Sequence, residues 1–280
     1  MKDLQLQSLQ LYLHCPVRWL FEEYYKVDVK AKPEELYSAA INSIVVGSND
    51  GWPGLFAKIL TGGLDFAELS SRWSTAWQAL ATKAGIDIEK SQVFEKKGLL
   101  TLLKLFDILK NIVVLGVHIP WESKWEIFDT RLVGTCPAII QGSLIPGDDN
   151  DSVYAVAVIP PNACWRNCKT SLQVFGLAHA AFNKQIPTQE ARTKLRTIIL
   201  DLDDCSLELL DKLPYNEFST TIGIAVNQIF YKLCLPHAAN HCRVCPYSNI
   251  CRPNILSISA LEDIAGTKKV LEWILTADNS

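Results

Sequence analysis

The sequence predicts an α/β fold with a helical N-terminal lobe and a cysteine-rich C-terminal region. Three observations support this class: helical spacing of apolar residues up to residue 118, strand-like runs from residue 119 onward, and a cysteine cluster that follows a long apolar helix. At 280 residues the chain is long enough for one large domain or two modest ones. We expect four regions: N-terminal helices (1–30), a helical lobe (31–118), an α/β core (119–235), and the cysteine region with a closing helix (236–280).

The composition is that of a globular protein, since 49% of the residues are hydrophobic and 20% are charged. The net charge of −3 creates no overall basic field, so any surface for nucleic acid would be local. The N-terminus lacks the layout of a signal peptide, and the apolar stretches are too short to span a bilayer. We therefore expect a cytoplasmic protein with no membrane partner.

The first half of the chain contains helix signals. Ser8 is a suitable N-cap for a short helix over residues 9–14, and Pro16 fits the first turn of a second helix. Three longer helices are predicted after that, over residues 37–46, from Asp65 onward, and over residues 88–115.

The second half combines strands and helices. Strands are predicted over residues 122–132, 138–145, 153–159 and 195–202, with an acidic turn at residues 147–151 that we expect only to be solvated. Helices are predicted over residues 170–183, 218–235 and 260–275.

The nine cysteines do not indicate a disulfide framework, because the number is odd and cytosolic thiols stay reduced. Five of them are expected to be small buried side chains rather than ligands: Cys136, Cys164, Cys168, Cys205 and Cys234. The i,i+4 spacing of Cys164 and Cys168 would suit a metal on one helical face, but nothing nearby completes a ligand set.

The remaining four cysteines predict a metal centre. Cys242, Cys245 and Cys251 can place three thiolates around one centre, and Cys15 can supply the fourth. Four thiolates suit an iron–sulfur cluster or a structural zinc; in the zinc alternative, a histidine could take part, with His14, His237 and His241 as candidates. Either group would join segments more than 220 residues apart, which removes denatured-state entropy.

Two segments together resemble the iron–sulfur branch of the PD-(D/E)XK, or RecB-like, nucleases. They are Ser8 to Pro16, and the late helix with its short loop and the stretch from Cys242 to Cys251 that contains Pro246-Tyr247. This branch includes CRISPR-associated RecB-like exonucleases and AddB-type subunits of helicase–nuclease complexes. The resemblance follows most of the chain in order. It implies a restriction-endonuclease-like core, a mixed sheet flanked by helices, and a [4Fe–4S] cluster held by Cys15, Cys242, Cys245 and Cys251.

The resemblance also implies catalytic residues that this chain lacks at the matching positions. Such nucleases use an early histidine or glutamate, an aspartate after a glycine step, and a (D/E)-x-K strand to hold Mg²⁺ or Mn²⁺. Here residues 38–44 contain no histidine, residues 134–137 contain no carboxylate, and residues 153–161 contain neither acid nor lysine. The helix that often carries Gln-x-x-x-Tyr keeps Gln173 but has Leu177 in place of the tyrosine.

Glu122 and Glu126 are the remaining weak candidates for catalysis. Four residues apart on one strand, they would share a face. Exposed carboxylates are common on strands, so a solvated face is the simpler interpretation, and we do not expect bound Mg²⁺ or Mn²⁺. The sequence thus predicts a nuclease fold that lacks the catalytic residues but keeps the four cysteines of the metal centre.

The expected function is that of a noncatalytic DNA-binding or scaffolding subunit in DNA processing, such as repair, recombination or CRISPR adaptation. Its partners would be DNA, single-stranded or at ends, and further proteins of the complex. The weak candidates for DNA contact are Arg18, Arg243, Tyr247 and Arg252; alternatively, Trp19 and Tyr247 pack the metal centre against water. Two other functions stay open: an active metal-dependent exonuclease that uses Glu122 and Glu126, and a zinc-stabilised interaction protein.

Overall fold

The structure is a computed structural model. It describes residues 2–27, 29–48, 51–63, 65–125, 130–145, 147, 151–161, 195–210, 215–230, 245–249 and 251. Several predictions fall outside these residues: the helices over 170–183 and 260–275, most of the acidic turn, and Cys164, Cys168 and Cys234.

The chain begins with a short strand, β1 (Lys2–Gln5), which leads directly into helix α1 (Leu6–His14). A single extended residue separates α1 from α2 (Pro16–Trp19), which continues as a π-helical turn over Leu20–Tyr24. The predicted position of Pro16 is confirmed. The prediction that Ser8 is an N-cap is wrong, because buried Leu6 starts the helix straight from the strand and Ser8 lies inside its first turn.

Four helices form the N-terminal lobe: α3 (Pro33–Val46), α4 (Leu55–Leu60), α5 (Phe66–Ala84) and α6 (Ile88–Leu109). The predicted starts of the two long helices are confirmed. Asp65 caps α5 by accepting a hydrogen bond from the amide of Ala67 at 3.0 Å. Asp87 caps α6 through the amides of Glu89 at 2.9 Å and Lys90 at 3.3 Å.

Two tryptophans fix α5 against α6. Trp73 and Trp77 are fully buried, and their indole N–H groups donate to the carbonyls of Glu95 and Ser91, each at 2.9 Å. Gly98 makes this close approach possible, since a Cβ atom there would lie 2.1 Å from the Trp73 ring. The tryptophans of this helix pair are therefore core residues.

The sheet contains β1 and five later strands: β2 (Val113–Trp125), β3 (Thr130–Gln141), β4 (Val153–Ile159), β5 (Leu195–Asp201) and β6 (Ser206–Leu209). Helix α7 (Tyr215–Phe230) follows the last strand. Strand β3 is central. It pairs antiparallel with β2 along its length, parallel with β1 at its start, and antiparallel with β4 at its end. Strands β4 and β5 are parallel, and β6 closes the order antiparallel to β5.

Two hydrophobic cores cover the sheet. The first core joins the sheet to the helical lobe and includes Tyr37, Trp73, Leu102, Ile140, Tyr154 and Ile198. The second core joins it to the N-terminal helices and α7 and includes Leu9, Trp19, Trp121, Leu132, Ala155 and Val226. The predicted α/β class is thus confirmed as a mixed sheet flanked by helices.

Several predicted element boundaries differ from the structure. The helix expected to reach residue 115 ends at Leu109, because the β-branched run from Val113 joins β3 as a strand. The strand expected over residues 122–132 is wrong, since it covers the end of β2 and the start of β3. Strand β3 also ends at Gln141, short of the predicted residue 145. Within the described residues, no helix has the length and apolar character needed to cross a membrane.

Candidate metal centre

Cys15 lies in the single-residue link between α1 and α2. Its backbone is extended (φ −152°, ψ 102°), and its N–H donates to the carbonyl of Leu11 at 2.9 Å. Its Sγ accepts a hydrogen bond from the amide of Arg18 at 3.4 Å, so the thiol acts as the N-cap of α2. The side chain is buried. The local fold therefore holds the Cys15 sulfur in a defined, largely dehydrated position.

Cys245 and Cys251 flank a short 3₁₀ turn, Pro246–Asn249. The amide of Cys251 donates to the carbonyl of Tyr247 at 2.7 Å, which brings the second cysteine back toward the turn. Cys245 is buried and Cys251 is half-buried. The six-residue spacing in the sequence thus becomes a compact arrangement of two thiols.

Both of these cysteines belong to a small apolar cluster that we call the cysteine-end cluster. It consists of Phe21, Cys245 and Tyr247, surrounded by Val17, Tyr25, Val27, Val29 and Cys251. The rings of Phe21 and Tyr247 lie 5.3 Å apart at 33°, and the Tyr247 hydroxyl donates to the carbonyl of Val27 at 3.4 Å. Burial raises the pKa of Tyr247 to about 12. The segment directly after Cys15 and the C-terminal cysteine segment therefore pack against each other.

Cys15 is linked to the cysteine-end cluster through the residues that follow it, because Val17 and Phe21 belong to that cluster. Burial is the largest influence on the Cys245 thiol and raises its pKa. Arg18, three residues after Cys15, is held by two carboxylates. Its Nε lies 2.5 Å from Glu22 Oε1, and its Nη2 lies 3.1 Å from Glu35 Oε1. Arg18 thus pairs with one carboxylate of its own helical segment and with one of α3.

The donor chemistry of this end fits a thiolate-bound metal. Thiols are the ligands that an iron–sulfur cluster or a structural zinc takes from cysteines, and here Cys15 and Cys245 are buried and Cys251 is half-buried. Within the described residues, no group of three cysteine, histidine or carboxylate side chains is arranged to hold an ion. Cys242 lies outside the described residues, as do His237 and His241. The four-cysteine ligand set stays a prediction.

The aromatic candidates beside the cysteines are buried. Tyr247 is only 4% exposed and belongs to the cysteine-end cluster. Trp19 is 6% exposed but belongs to the second core, where its indole N–H donates to Ser8 Oγ at 2.8 Å and its ring meets Tyr12 edge-on at 5.5 Å. Both therefore act as packing residues. Arg243 and Arg252 lie outside the described residues.

The positions that match the nuclease motif have structural roles. Strand β4, where the (D/E)-x-K motif would lie, has six consecutive buried residues, Tyr154 to Ile159. Gly134 is covered by the Trp121 ring, since a Cβ atom at residue 134 would lie 2.4 Å from that ring. Residues 38–44 lie within helix α3, which packs into the first core.

Glu122 is exposed on β2 and forms an ion pair with Arg131 Nη1 at 2.9 Å. Arg131 also binds Asp3 with both arms of its guanidinium, Nε to Oδ1 and Nη2 to Oδ2, each at 2.8 Å. Glu122 is thus a partner in a three-strand ion-pair network. Glu126 lies outside the described residues.

Two described cysteines outside the site are buried, as predicted. Cys136 lies in the second core, and burial raises the pKa of its thiol to about 11. Cys205 lies in the first core, with its Sγ 3.5 Å from the carbonyl of Thr101. Neither of them is placed among the residues of the cysteine-end cluster.

The sequence does not predict the ion pairs of Arg18 with Glu35 and of Arg131 with Asp3. It predicts Arg18 only as a weak candidate for DNA contact, and nothing in it links Arg18 to Glu35, 17 residues later. Asp3 and Arg131 are 128 residues apart, and the short first strand that pairs them had no strand signal long enough to detect.

The comparisons with known proteins give little. No family model matches the chain, and no curated protein matches it. Among solved structures, the chain is similar to the crystal structure of SSO0001, with 12% identity, a TM-score of 0.40, and coverage of 91% of this chain and 87% of that one. A similarity at this level does not identify a family.

Proposed function

We propose that the protein is a catalytically degenerate RecB-like nuclease-fold protein that carries a [4Fe–4S] cluster and serves as a DNA-binding or scaffolding subunit in DNA processing. Cys15, Cys242, Cys245 and Cys251 hold the cluster. The observation that carries the proposal is the packing of the segment after Cys15 against the turn between Cys245 and Cys251, at opposite ends of the sequence.

This packing supports a shared metal centre, because the apolar contacts alone give the two segments little reason to lie together. Among the described residues the cysteine-end cluster is small, and its buried members are Phe21, Cys245 and Tyr247. A cluster of this size buries little apolar surface to offset the entropy of joining distant segments. A bound metal with ligands from both segments would supply the missing free energy.

The loss of catalysis is supported by the character of β4 and β2. Mg²⁺ and Mn²⁺ need oxygen ligands, and the six buried residues Tyr154 to Ile159 include no carboxylate. The carboxylate of Glu122 is paired with Arg131, which it shares with Asp3. The chain therefore lacks, at these positions, the ligands that would generate a metal-bound hydroxide for phosphodiester cleavage.

A role with partners fits the charge of the molecule better than independent DNA binding. The net charge of −3 gives no general attraction for phosphates, and Arg18 is engaged with two carboxylates. Arg243 and Arg252 flank the proposed cluster in the sequence and are the basic residues that would contact DNA there. Their contribution would add to that of other subunits.

The first test is anaerobic purification followed by an absorption spectrum and counts of iron, sulfide and zinc. The proposal requires a broad brown absorption and about four iron and four sulfide per chain. Stoichiometric zinc without iron would overturn the cluster and favour an interaction protein. A chain without bound metal would overturn the whole proposal.

The second test concerns catalysis and DNA binding. The cluster-loaded protein is incubated with Mn²⁺ and single-stranded DNA, alongside Glu122→Gln and Glu126→Gln variants. We expect no degradation above that of a metal-free control, with measurable DNA binding by fluorescence anisotropy that weakens with salt. Mn²⁺-dependent degradation that either substitution abolishes would show an active nuclease instead.

A further inference from the structure

We propose that the exposed face of helix α6 is the interface of a homodimer, in which two copies of α6 pack antiparallel around a two-fold axis. The inference goes beyond the proposed function. It concerns a surface that includes none of the residues proposed to hold the metal, so it stands or falls independently of the cysteine centre.

Helix α6 is apolar on two sides. One side packs into the first core, where Phe94 and Leu102 are buried. On the other side, the exposed fractions of Val93, Leu100 and Leu103 are 64%, 61% and 48%. The outer face of a surface helix is normally polar, so large apolar side chains that follow one another along this face indicate a binding surface.

The exposed residues form a continuous line, which we call the α6 seam. In chain order, the seam consists of Val93, Lys96, Leu100, Leu103, Asp107 and Lys110. Alternating steps of three and four residues keep these side chains on one face, the pattern by which two helices pack side by side. From its first residue to the C-cap of α6, the seam is about 25 Å long at 1.5 Å per residue.

The α6 seam is complementary to a second copy of itself. With the two-fold axis between residues 101 and 102, Leu100 faces Leu103 of the second copy, and Leu103 faces its Leu100. Lys96 faces Asp107 on each side of these leucines, and Val93 faces the aliphatic stem of Lys110. An interface between two identical chains around a two-fold axis requires this kind of reciprocal matching.

The charges select this arrangement over its neighbours. Parallel helices would place Lys96 opposite Lys96 and Asp107 opposite Asp107. An antiparallel pair shifted by one heptad would place Asp107 opposite either Glu89 or Leu103. Asp107 pairs with Lys110 of its own chain at 2.6 Å, and a carboxylate has room to accept from a second cation. Such pairs at the border of an interface fix its register more than its strength.

Sedimentation velocity of the full chain over a series of concentrations tests the apolar part of the seam. A seam on one helix is smaller than a standard interface, so we expect a reversible dimer of moderate affinity. Leu100→Asp should weaken association at least about 10-fold, because a carboxylate at the centre of the interface would lose its hydration.

Ile88→Asp is the matched control. Ile88 lies on the same helix and is 74% exposed, but it is about a quarter turn away from the seam. We expect its dimer affinity to equal that of the wild type. Circular dichroism of each variant separates a loss of association from a loss of fold.

A second experiment tests the antiparallel register. Lys96→Asp and Asp107→Lys should each weaken the dimer, since each variant places like charges opposite one another. Mixing the two variants in equal amounts should restore association, because every Asp then faces a Lys of the other chain. Positions 96 and 107 lie about 16 Å apart along one helix, so the two charges cannot compensate each other within a chain.

Each outcome bears on the proposal. A wild type that stays monomeric at all concentrations overturns it; a lowered thermal midpoint of monomeric Leu100→Asp would then show that another segment of the same chain covers the seam. A Leu100→Asp variant that dimerises as tightly as the wild type places the interface elsewhere. Mixed charge variants that associate no better than either alone overturn the antiparallel register. If Leu100→Asp loses its fold, the mixing experiment decides, since it changes only exposed charged side chains.

Discussion

Two individual residues show how a small side chain can serve the packing of a tryptophan. Gly134 occupies the place that a nuclease motif would give to a metal-binding step, yet its lack of a side chain serves the Trp121 ring, which lies over it. Ser8 similarly stands where a helix cap was expected, yet its hydroxyl accepts the indole N–H of Trp19. Each of these positions contacts a tryptophan of the second core.

The Gly134→Ala substitution tests the first of these contacts. A methyl group 2.4 Å from the Trp121 ring must displace it, and overpacking of this kind costs about 1–3 kcal/mol in the free energy of unfolding. Urea denaturation followed by tryptophan fluorescence measures the change. The control is Gly63→Ala, where the nearest neighbouring atom would lie at 3.7 Å and little change is expected. Equal stability of both variants would mean that Trp121 does not pack on residue 134.

The Ser8→Ala substitution tests the second contact. It removes the acceptor of the Trp19 indole N–H. Trp19 is only 6% exposed, and an unpaired buried donor lowers the free energy of unfolding by about 1–3 kcal/mol. Ser71→Ala, on the exposed side of α5, should change the free energy of unfolding by less than about 0.5 kcal/mol. A loss no larger than that of the control would contradict the proposed hydrogen bond.

At the scale of the secondary-structure elements, the attachment of strand β1 to the sheet depends strongly on Arg131, because the strand is short. It has four residues, and its pairing with β3 places Asp3 directly opposite Arg131. The guanidinium binds Asp3 of β1 and Glu122 of β2 together, so three strands meet at one side chain. Because β1 leads directly into α1, this contact also helps to fix the helix that precedes Cys15.

Asp3→Asn should weaken the fold in a pH-dependent way. The hydrogen bonds from Arg131 lower the pKa of Asp3 below its usual value of 3.8, so the ionised carboxylate stabilises the folded state above that pH. This contribution is lost as the pH falls through the lowered pKa. The thermal midpoint of Asp3→Asn should therefore lie below that of the wild type at pH 7, and the difference should shrink on acidification below about pH 4.

Asp107→Asn serves as its control, because Asp107 is 71% exposed and its ion pair is with Lys110, one turn away at 2.6 Å. Such surface pairs contribute little, so the midpoint at pH 7 should hardly change. A difference between Asp3→Asn and the wild type that grows on acidification would contradict the assignment.

The elements that could be predicted from the sequence are those with strong local signals. Asp65 and Asp87 precede long amphipathic patterns, and both cap helices as aspartates in that position usually do. The errors occurred where local signals conflict or are missing. Residues 126–129, which separate β2 from β3, contain no glycine or proline, so the sequence predicts one strand where the structure has the ends of two. Pairings between distant segments, such as Asp3 with Arg131, have no local signal.

The candidate site, too, could be predicted from the sequence only in part. The spacing of Cys242, Cys245 and Cys251 and the position of Cys15 are visible in the sequence. Cys245 and Cys251 belong to the cysteine-end cluster, which also contains Val17 and Phe21 from the segment after Cys15. The ion pairs of Arg18 with Glu22 and Glu35 are not visible, because these residues come together only when α2 packs against the start of α3.

At the scale of the whole molecule, the cysteine end joins the two termini of the fold. Cys15 follows the helix that packs on the second core, and Cys245 lies beyond α7, which packs on the same core. A metal shared by these segments would close a loop of about 230 residues, and closure of long loops removes the most entropy from the denatured chain. Metal binding and global stability should therefore be linked.

This linkage predicts a specific pattern for cysteine variants. Cys15→Ser and Cys245→Ser should each abolish the difference in thermal midpoint between the metal-loaded and the chelator-treated protein, because each removes a ligand of the same centre. The thermal midpoint of the double variant should be little lower than that of either single variant, since the two changes act on one interaction.

The control is Cys205→Ala. It removes a thiol of the first core, so it should lower the midpoint but keep the metal-linked difference. Differential scanning fluorimetry under anaerobic conditions measures all four proteins. If Cys15→Ser kept the full metal-linked difference, the metal would be bound by the C-terminal cysteines alone, and the two ends would be joined only by the packing of Phe21 on Tyr247.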